Sequence, residues 1–166
     1  MRNDGKLRGA IVKMYSKTGL TEEIIKSVRR LWDELTRYEL SLLLSCEAVS
    51  EMFKDQIAQC RKPGFMDEKF DEYLKLLDWV YVFERSGEPV GFMAVAEDQL
   101  LSIYFEEWCR GWTSGSYLVN NHMEIFKQPL EVQCYRDNKR GLNFYQRLGF
   151  QVIDQTGIYT RLKLTV

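Results

Sequence analysis

The chain has 166 residues, 45% of them apolar, which suits one domain with a sizeable core. Its 23 Lys and Arg nearly cancel 24 Asp and Glu, and no basic block stands out, which sets aside nucleic acid and anionic membranes as partners. A single His and four scattered Cys (Cys46, Cys60, Cys109 and Cys134), with no C-x-x-C pair, set aside a structural zinc site and a thioredoxin-type centre and predict reduced, mostly buried thiols.

Residues 7–15 (LRGAIVKMY) are rich in β-formers and predict a first strand at or near a sheet edge. Thr21 then caps a helix, with Glu22 and Glu23 in the first turn, where the helix dipole favours anions, and Leu20 placed to staple onto Ile25. Ile24, Ile25, Val28, Leu31, Trp32 and Leu35 form one apolar stripe, so this helix packs on a sheet. A second amphipathic stretch puts Val49, Met52, Phe53, Ile57 and Cys60 on one face and stops near Lys62-Pro63-Gly64, which cannot continue a helix. A third begins at Asp67 and buries Phe70, Leu74 and Leu77. The loops around 43–47 and 61–67 are expected to line a binding cleft.

From Trp79 strands take over. Residues 79–98 read as two strands joined at Ser86-Gly87-Glu88, where Gly supplies positive φ, and 99–106 as a third. Residues 110–116 (RGWTSGS) interrupt the pattern, and Leu118, Val119, His122, Met123 and Phe126 resume it at helical spacing, with His122 reading as a packed or partly exposed side chain. Residues 130–135 alternate apolar and polar like a two-faced strand. After a polar break at 136–138, Leu142, Tyr145, Gln146 and Gly149 fall at helical spacing, with Gly149 where a helix needs a left-handed terminating residue. Phe150 opens another apolar run, giving a β-α-β segment. No apolar run is long enough to span a bilayer and MRNDGKLRG lacks the apolar core of a secretory signal, so a soluble cytoplasmic protein is expected.

The anchors Asn138, Gly141, Phe144, Tyr145, Gly149 and Phe150 resemble the C-terminal signature N-x-x-(A/G)-x-x-F-Y-x-x-x-G-F of the GNAT superfamily, the acyl-CoA-dependent N-acyltransferases. A Gly/Ser/Thr-rich turn at a helix start aims unpaired N–H groups and dipole potential at one spot, which serves an anion or merely begins the helix. Here that turn also resembles the family's pyrophosphate motif (Q/R)-x-x-G-x-(G/A), through Arg110, Thr113 and Gly115. Thr113 stands where the family usually has Gly; its branched side chain resists positive φ, although its hydroxyl can donate to a phosphate. The resemblance covers about 79–166 well and the helical half by topology only.

What the resemblance implies is a single α/β domain over 1–166, with a mixed, mostly antiparallel central sheet of about seven strands flanked by helices. The strand before the loop is expected to carry a bulge and to splay from 130–135, opening a slot for a pantetheine arm. The implied co-substrate is acetyl-CoA and the implied acceptor a primary amine, on a small molecule or a protein lysine or N-terminus; no metal is implied. Ile103 and Phe105 would pair with pantetheine through their backbone, with the Ile103 N–H facing the thioester oxygen as charge develops there. Arg110, Gly111, Trp112, Thr113, Ser114, Gly115 and Ser116 would hold the pyrophosphate, and Asn138 would sit beside the pantetheine amide or cap its helix. Tyr145 would touch the cofactor and protonate the departing thiolate, since a phenol with a pKa of about 10 keeps its proton at neutral pH.

A base is harder to place. Some family members carry Glu at the position of Gln99, and Gln cannot take a proton; Glu97, Asp98 and Glu131 are alternatives that read equally as solvated charges. Cys134 lies next to the expected acyl site but has no His motif to activate it. A non-catalytic acyl-CoA-binding sensor and a plain interaction module are the rival readings. Tyr38, Phe65 and Trp108 either line the cleft or fill core, and the final strand, 158–166, offers an edge for a homodimer.

Overall fold

A computed structural model describes residues 9–110 and 114–166. Seven strands form one sheet in the order β1-β2-β3-β4-β5-β7-β6, where β1 is Ala10–Ser16, β2 Trp79–Arg85, β3 Glu88–Ala96, β4 Gln99–Phe105, β5 Leu130–Tyr135, β6 Gln151–Thr156 and β7 Tyr159–Leu164. Every neighbouring pair is antiparallel except β4 and β5. Helices α1 (Glu22–Leu44), α2 (Glu47–Met52), α3 (Lys54–Gln59) and α4 (Phe65–Leu76) precede β2; α5 (Ser114–Phe126) and α6 (Lys139–Arg147) follow β4 and β5.

β2 and β3 are buried along almost their whole length because helices cover both faces of the sheet. Val80, Val82, Phe92 and Ala94 face α1 and α4, where Val28, Leu31, Phe70 and Leu77 close one core. Tyr81, Phe83, Met93 and Val95 face the opposite way, into a second core with Leu118 and Val119 of α5, Tyr145 of α6 and Phe150. α1 starts as its sequence requires: the Thr21 hydroxyl accepts from the Ile24 N–H at 3.4 Å, and Glu22 and Glu23 occupy the first turn.

The stretch expected as one helix after Val49 is instead two short helices, broken at Phe53, whose backbone leaves the helical region (φ −106°, ψ 13°). Of the five residues expected to face the core only Ile57 is buried, and Met52 is 69% exposed. The β2–β3 turn places both Ser86 (φ 53°) and Gly87 (φ 83°) in the left-handed region, the two-residue turn whose twist matches a hairpin.

β4 is where the sheet opens. Its register against β3 runs Ala94↔Ser102 and then Val95↔Leu100, so Leu101 is an extra, bulged residue. Beyond the bulge β4 leaves β5, which it meets only at Gln99↔Glu131 and Leu100↔Val132. The expected bulge and splay are both present. The expected dimer edge is not: β7 lies between β5 and β6 with both of its edges paired, because the chain folds back as a hairpin onto β5, and the sheet's outer strands are β1 and β6.

Candidate functional site

The wedge between β4 and β5 opens a cavity of about 1260 Å³, bordered by both strands, the start of α5, α6 and the later turns of α1. The loops around 43–47 and 61–67 contribute nothing to its lining; Leu35, Tyr38 and Glu39 of α1 do so instead, since α1 runs on to Leu44 and carries its inner face over the wedge. Of the aromatic residues singled out, Tyr38 lines the cavity, whereas Phe65 and Trp108 do not, and Trp108 is 56% exposed.

Ile103 and Phe105 both border the cavity. The Glu106 N–H donates to the Val90 carbonyl of β3 at 2.9 Å. By the two-residue period of a strand, Ser102 and Tyr104 then turn their backbone groups toward β3, while those of Ile103 and Phe105 point into the wedge. A buried strand edge with no partner strand needs another source of hydrogen bonds. Arg110 supplies one: its Nε–H donates to the Phe105 carbonyl at 2.7 Å, and its guanidinium lies 5.1 Å from the centre of the Tyr104 ring. The Ile103 N–H remains directed at the space that a ligand would fill.

The far side is built by the Asn138 to Phe150 segment. Asn138 caps α6, its Oδ1 accepting from the Gly141 N–H at 2.9 Å, and the same oxygen accepts from the Tyr38 hydroxyl at 3.1 Å, tying α1 to the β5–α6 turn. A Cβ on Gly141 would lie 2.7 Å from Asn138 Nδ2 and 3.0 Å from Cys134 Sγ, so a side chain here would have to displace the capping Asn138 amide. Gly149 (φ 97°) ends α6: its N–H donates to the Gln146 carbonyl at 3.0 Å and that of Phe150 to the Tyr145 carbonyl at 3.1 Å, the paired bonds of a left-handed helix terminus. This termination fixes Tyr145, which is 8% exposed and wedged edge-on against Phe144 and Phe150 with ring centres 5.2 and 5.4 Å away. Burial first, then the nearby Cys134 and Glu39, push the Tyr145 phenol far above its ordinary value, so it holds its proton as a donor.

Gly115 packs the first turn of α5 against α6, since a Cβ there would come within 2.9 Å of the Phe144 ring. Gly115 and Ser116 reach the cavity wall. These two residues belong to the first turn of α5, which starts at Ser114. Gly111, Trp112 and Thr113 lie outside the described residues.

None of the three carboxylates considered from the sequence borders the cavity. Glu131 is bound by Lys163 (2.9 Å) and Arg161 (3.0 Å), whose hydrogen bonds, Lys163's foremost, hold it below the usual carboxylate range. Asp98 accepts from the Gln99 side chain at 2.9 Å. The cavity has its own acid, Glu39, the one carboxylate in its lining among the described residues. Burial raises it from 4.5 to about 7. Its sequence signal was legible in principle: counting on from Val28, Leu31 and Leu35, Tyr38 and Glu39 fall on the core-facing stripe of α1, where a carboxylate is out of place.

Burial, helped by Glu39, pushes the Cys134 thiol up to about 12, which leaves it unreactive as a nucleophile. His122 is a packed histidine: 3% exposed, it shares a 2.9 Å hydrogen bond with the Tyr81 hydroxyl, and burial lowers its pKa.

A strand edge opened by a bulge, a helix N-terminus and a buried phenol facing one wedge are the features of an acyl-CoA-dependent transferase fold. Residues 46–150, more than half of the chain, match the acetyltransferase (GNAT) family, and the chain belongs to it. Among curated proteins it is 28% identical over 80 residues to the peptidyl-lysine N-acetyltransferase YjaB of Escherichia coli K12, covering 48% of this chain and 53% of that protein. The chain therefore spans about half the length of the curated relatives it matches. The fold is shared with the PaiA N-acetyltransferase of Thermoplasma acidophilum solved with coenzyme A (TM-score 0.63, 16% identity, 94% of this chain and 99% of that one). It is shared too with the Campylobacter jejuni N-acetyltransferase PseH in complex with acetyl coenzyme A (TM-score 0.52, 14% identity, 93% and 99%).

Proposed function

We propose that the chain is a single-domain enzyme that transfers an acetyl group from acetyl-CoA to a primary amine, by direct attack of the amine within a ternary complex. The observation that carries this reading is the β4 edge at Ile103 and Phe105, which has no partner strand and is turned into the same cavity that holds the protonated phenol of Tyr145. The residues present fit the co-substrate. An extended pantetheine arm would complete the β4 edge as a short strand, and a cavity of about 1260 Å³ exceeds the roughly 300–1,000 Å³ of most small-ligand sites, leaving room for an acceptor.

Arg110 and the start of α5, with Gly115 and Ser116, would take the pyrophosphate, where helix-terminal N–H groups and a cation favour negative charge. Asn138 keeps its side-chain NH₂ to donate, because its oxygen is engaged by Gly141 and Tyr38. As the amine attacks, the carbonyl pair moves to oxygen, which the Ile103 N–H stabilises; as the carbon–sulfur bond breaks, Tyr145 gives its proton to sulfur. Support for an amine acceptor also comes from the YjaB relative, whose name specifies peptidyl lysine.

Calorimetric titration with acetyl-CoA, followed by thiol release in the presence of simple alkylamines and lysine peptides, tests the reading. Saturable binding and amine-dependent thiol are expected. Folded protein that binds no acetyl-CoA overturns it.

A further inference from the structure

We propose that Glu39 is the general base of this transfer, receiving the proton that the acceptor's ammonium nitrogen must lose before it can attack. The proposal rests on the transferase reading above and supplies the group which that reading lacks.

Position comes first. Glu39 sits in the later part of α1, on the face turned to the wedge, and lines the cavity with Leu35 and Tyr38 of the same helix. Its charge is felt by Tyr73 of α4, by Cys134 and Tyr135 of β5 and by Tyr145 of α6, all of which it shifts upward. It therefore stands where those elements converge, in reach of the same space as the proposed acid.

Availability comes second. The other carboxylates near the wedge are committed: Glu131 to Lys163 and Arg161, Glu34 to the Tyr104 hydroxyl (2.8 Å), and Glu106 to Arg30 and the Trp108 indole. Arg110, Arg140 and Arg147 also line the cavity, yet among the described residues none forms an ion pair with Glu39. A carboxylate set on a core-facing stripe without a cation is costly to keep. A protonated primary amine is a group that would relieve that cost, and the aromatic rings of Tyr38 and Tyr135 in the same cavity lining suit a small cation.

Chemistry comes third. An alkylammonium with a pKa of about 10.4 is almost wholly protonated at neutral pH, and a base with a pKa near 7 both takes its proton and returns it to water. Burial holds Glu39 at about 7, with Tyr73, Cys134, Tyr135 and Tyr145, all uncharged, facing it from the other elements. The proton count closes. Nitrogen loses two protons overall: the first passes through Glu39 to solvent, and loss of the second during collapse balances the one that Tyr145 delivers to sulfur.

The test is the pH dependence of kcat for wild type, Glu39→Gln and Glu39→Asp with an alkylamine acceptor, alongside calorimetric affinity for acetyl-CoA. Wild-type kcat should rise with pH through one inflection, at or below the free-enzyme value of about 7 because a bound ammonium favours the carboxylate, and level off. Glu39→Gln should lose roughly 10²-fold or more in kcat together with that inflection, while binding acetyl-CoA within about twofold of wild type. Glu39→Asp should keep part of the rate and an inflection, moved from the wild-type position. An active wild type whose Glu39→Gln variant keeps both rate and inflection overturns the base alone, as does a variant that loses cofactor affinity and rate together. A wild type that binds no acetyl-CoA, or binds it without releasing thiol to any amine, overturns the transferase reading and this one with it.

Discussion

β4 has two neighbours and treats them differently. Against β3 it pairs from Gly91↔Phe105 to Ala96↔Gln99, and the strands are sealed between two cores. Against β5 it pairs at Gln99↔Glu131 and Leu100↔Val132 and then departs. One bulged residue, Leu101, makes the difference, because it rotates the rest of the strand so that Ile103 and Phe105 present their backbone to an open wedge. The closed joint holds the fold together; the open joint leaves backbone polar groups without a partner strand, which the proposed acetyl-CoA would complete. Side chains at the two joints should therefore fail in different ways.

The largest effect expected is on turnover at the open joint. Tyr145→Phe keeps the ring between Phe144 and Phe150 and removes only the proton donor, so kcat should fall by roughly 10²–10⁴-fold with acetyl-CoA affinity retained. Thiol-release kinetics beside calorimetry would check it; an unchanged kcat would move the acid elsewhere. The closed joint should respond in stability. A Cβ on Gly91 would sit 2.3 Å from the Phe105 ring, itself packed edge-on against Phe83 at 5.4 Å. Gly91→Ala should cost about 2–3 kcal/mol in urea unfolding, as the ring is forced out of a filled core.

Glu39 sharpens the contrast, since neutralising it should stabilise the protein that it is proposed to serve. Its folded pKa of about 7 lies above the ordinary 4.5, so the folded state keeps a proton that the unfolded chain has released. Stability then falls as pH rises from about 4.5 to about 7, and is level above that. Thermal denaturation should show that slope in wild type and not in Glu39→Gln, with the variant more stable by about 1–2 kcal/mol at pH 8. The smallest effect belongs to the strut across the open joint: Tyr38→Phe removes the 3.1 Å bond to Asn138 and should cost about 1 kcal/mol.

Local rules carried the sequence far in the second half of the chain. Asn138 as a cap, Gly149 as a left-handed stop and the positive φ of Gly87 in the β2–β3 turn each depend on a few adjacent residues, and each stands where expected. What escaped was set by partners distant in the chain. The free edge of the last strand was misjudged because the β7 neighbours are chosen by tertiary pairing, not by its own pattern. The helix after Val49 was drawn whole because its apolar spacing is sound, but most of that face finds no core to meet. The cleft wall was sought in loops, and α1 supplied it, Glu39 included, because a residue's burial follows from what the helix lies against. Conversely, Glu97, Asp98 and Glu131 drew attention by strand position and Gln99 by the family's pattern, and the wedge opens past all of them.

The two-pair contact at Gln99 and Leu100 leaves the sheet as two ribbons, β1 to β4 and β5-β7-β6, leaning on one another along an incomplete seam. A ligand lying in that seam acts as a splint. Whatever binds the assembled ribbons but not the unfolded chain raises the unfolding free energy by mass action, about 2.7 kcal/mol at a hundredfold excess over Kd. For this chain the supply of acetyl-CoA would then set how long the protein survives as well as how fast it works, so that a starved enzyme is also a more perishable one.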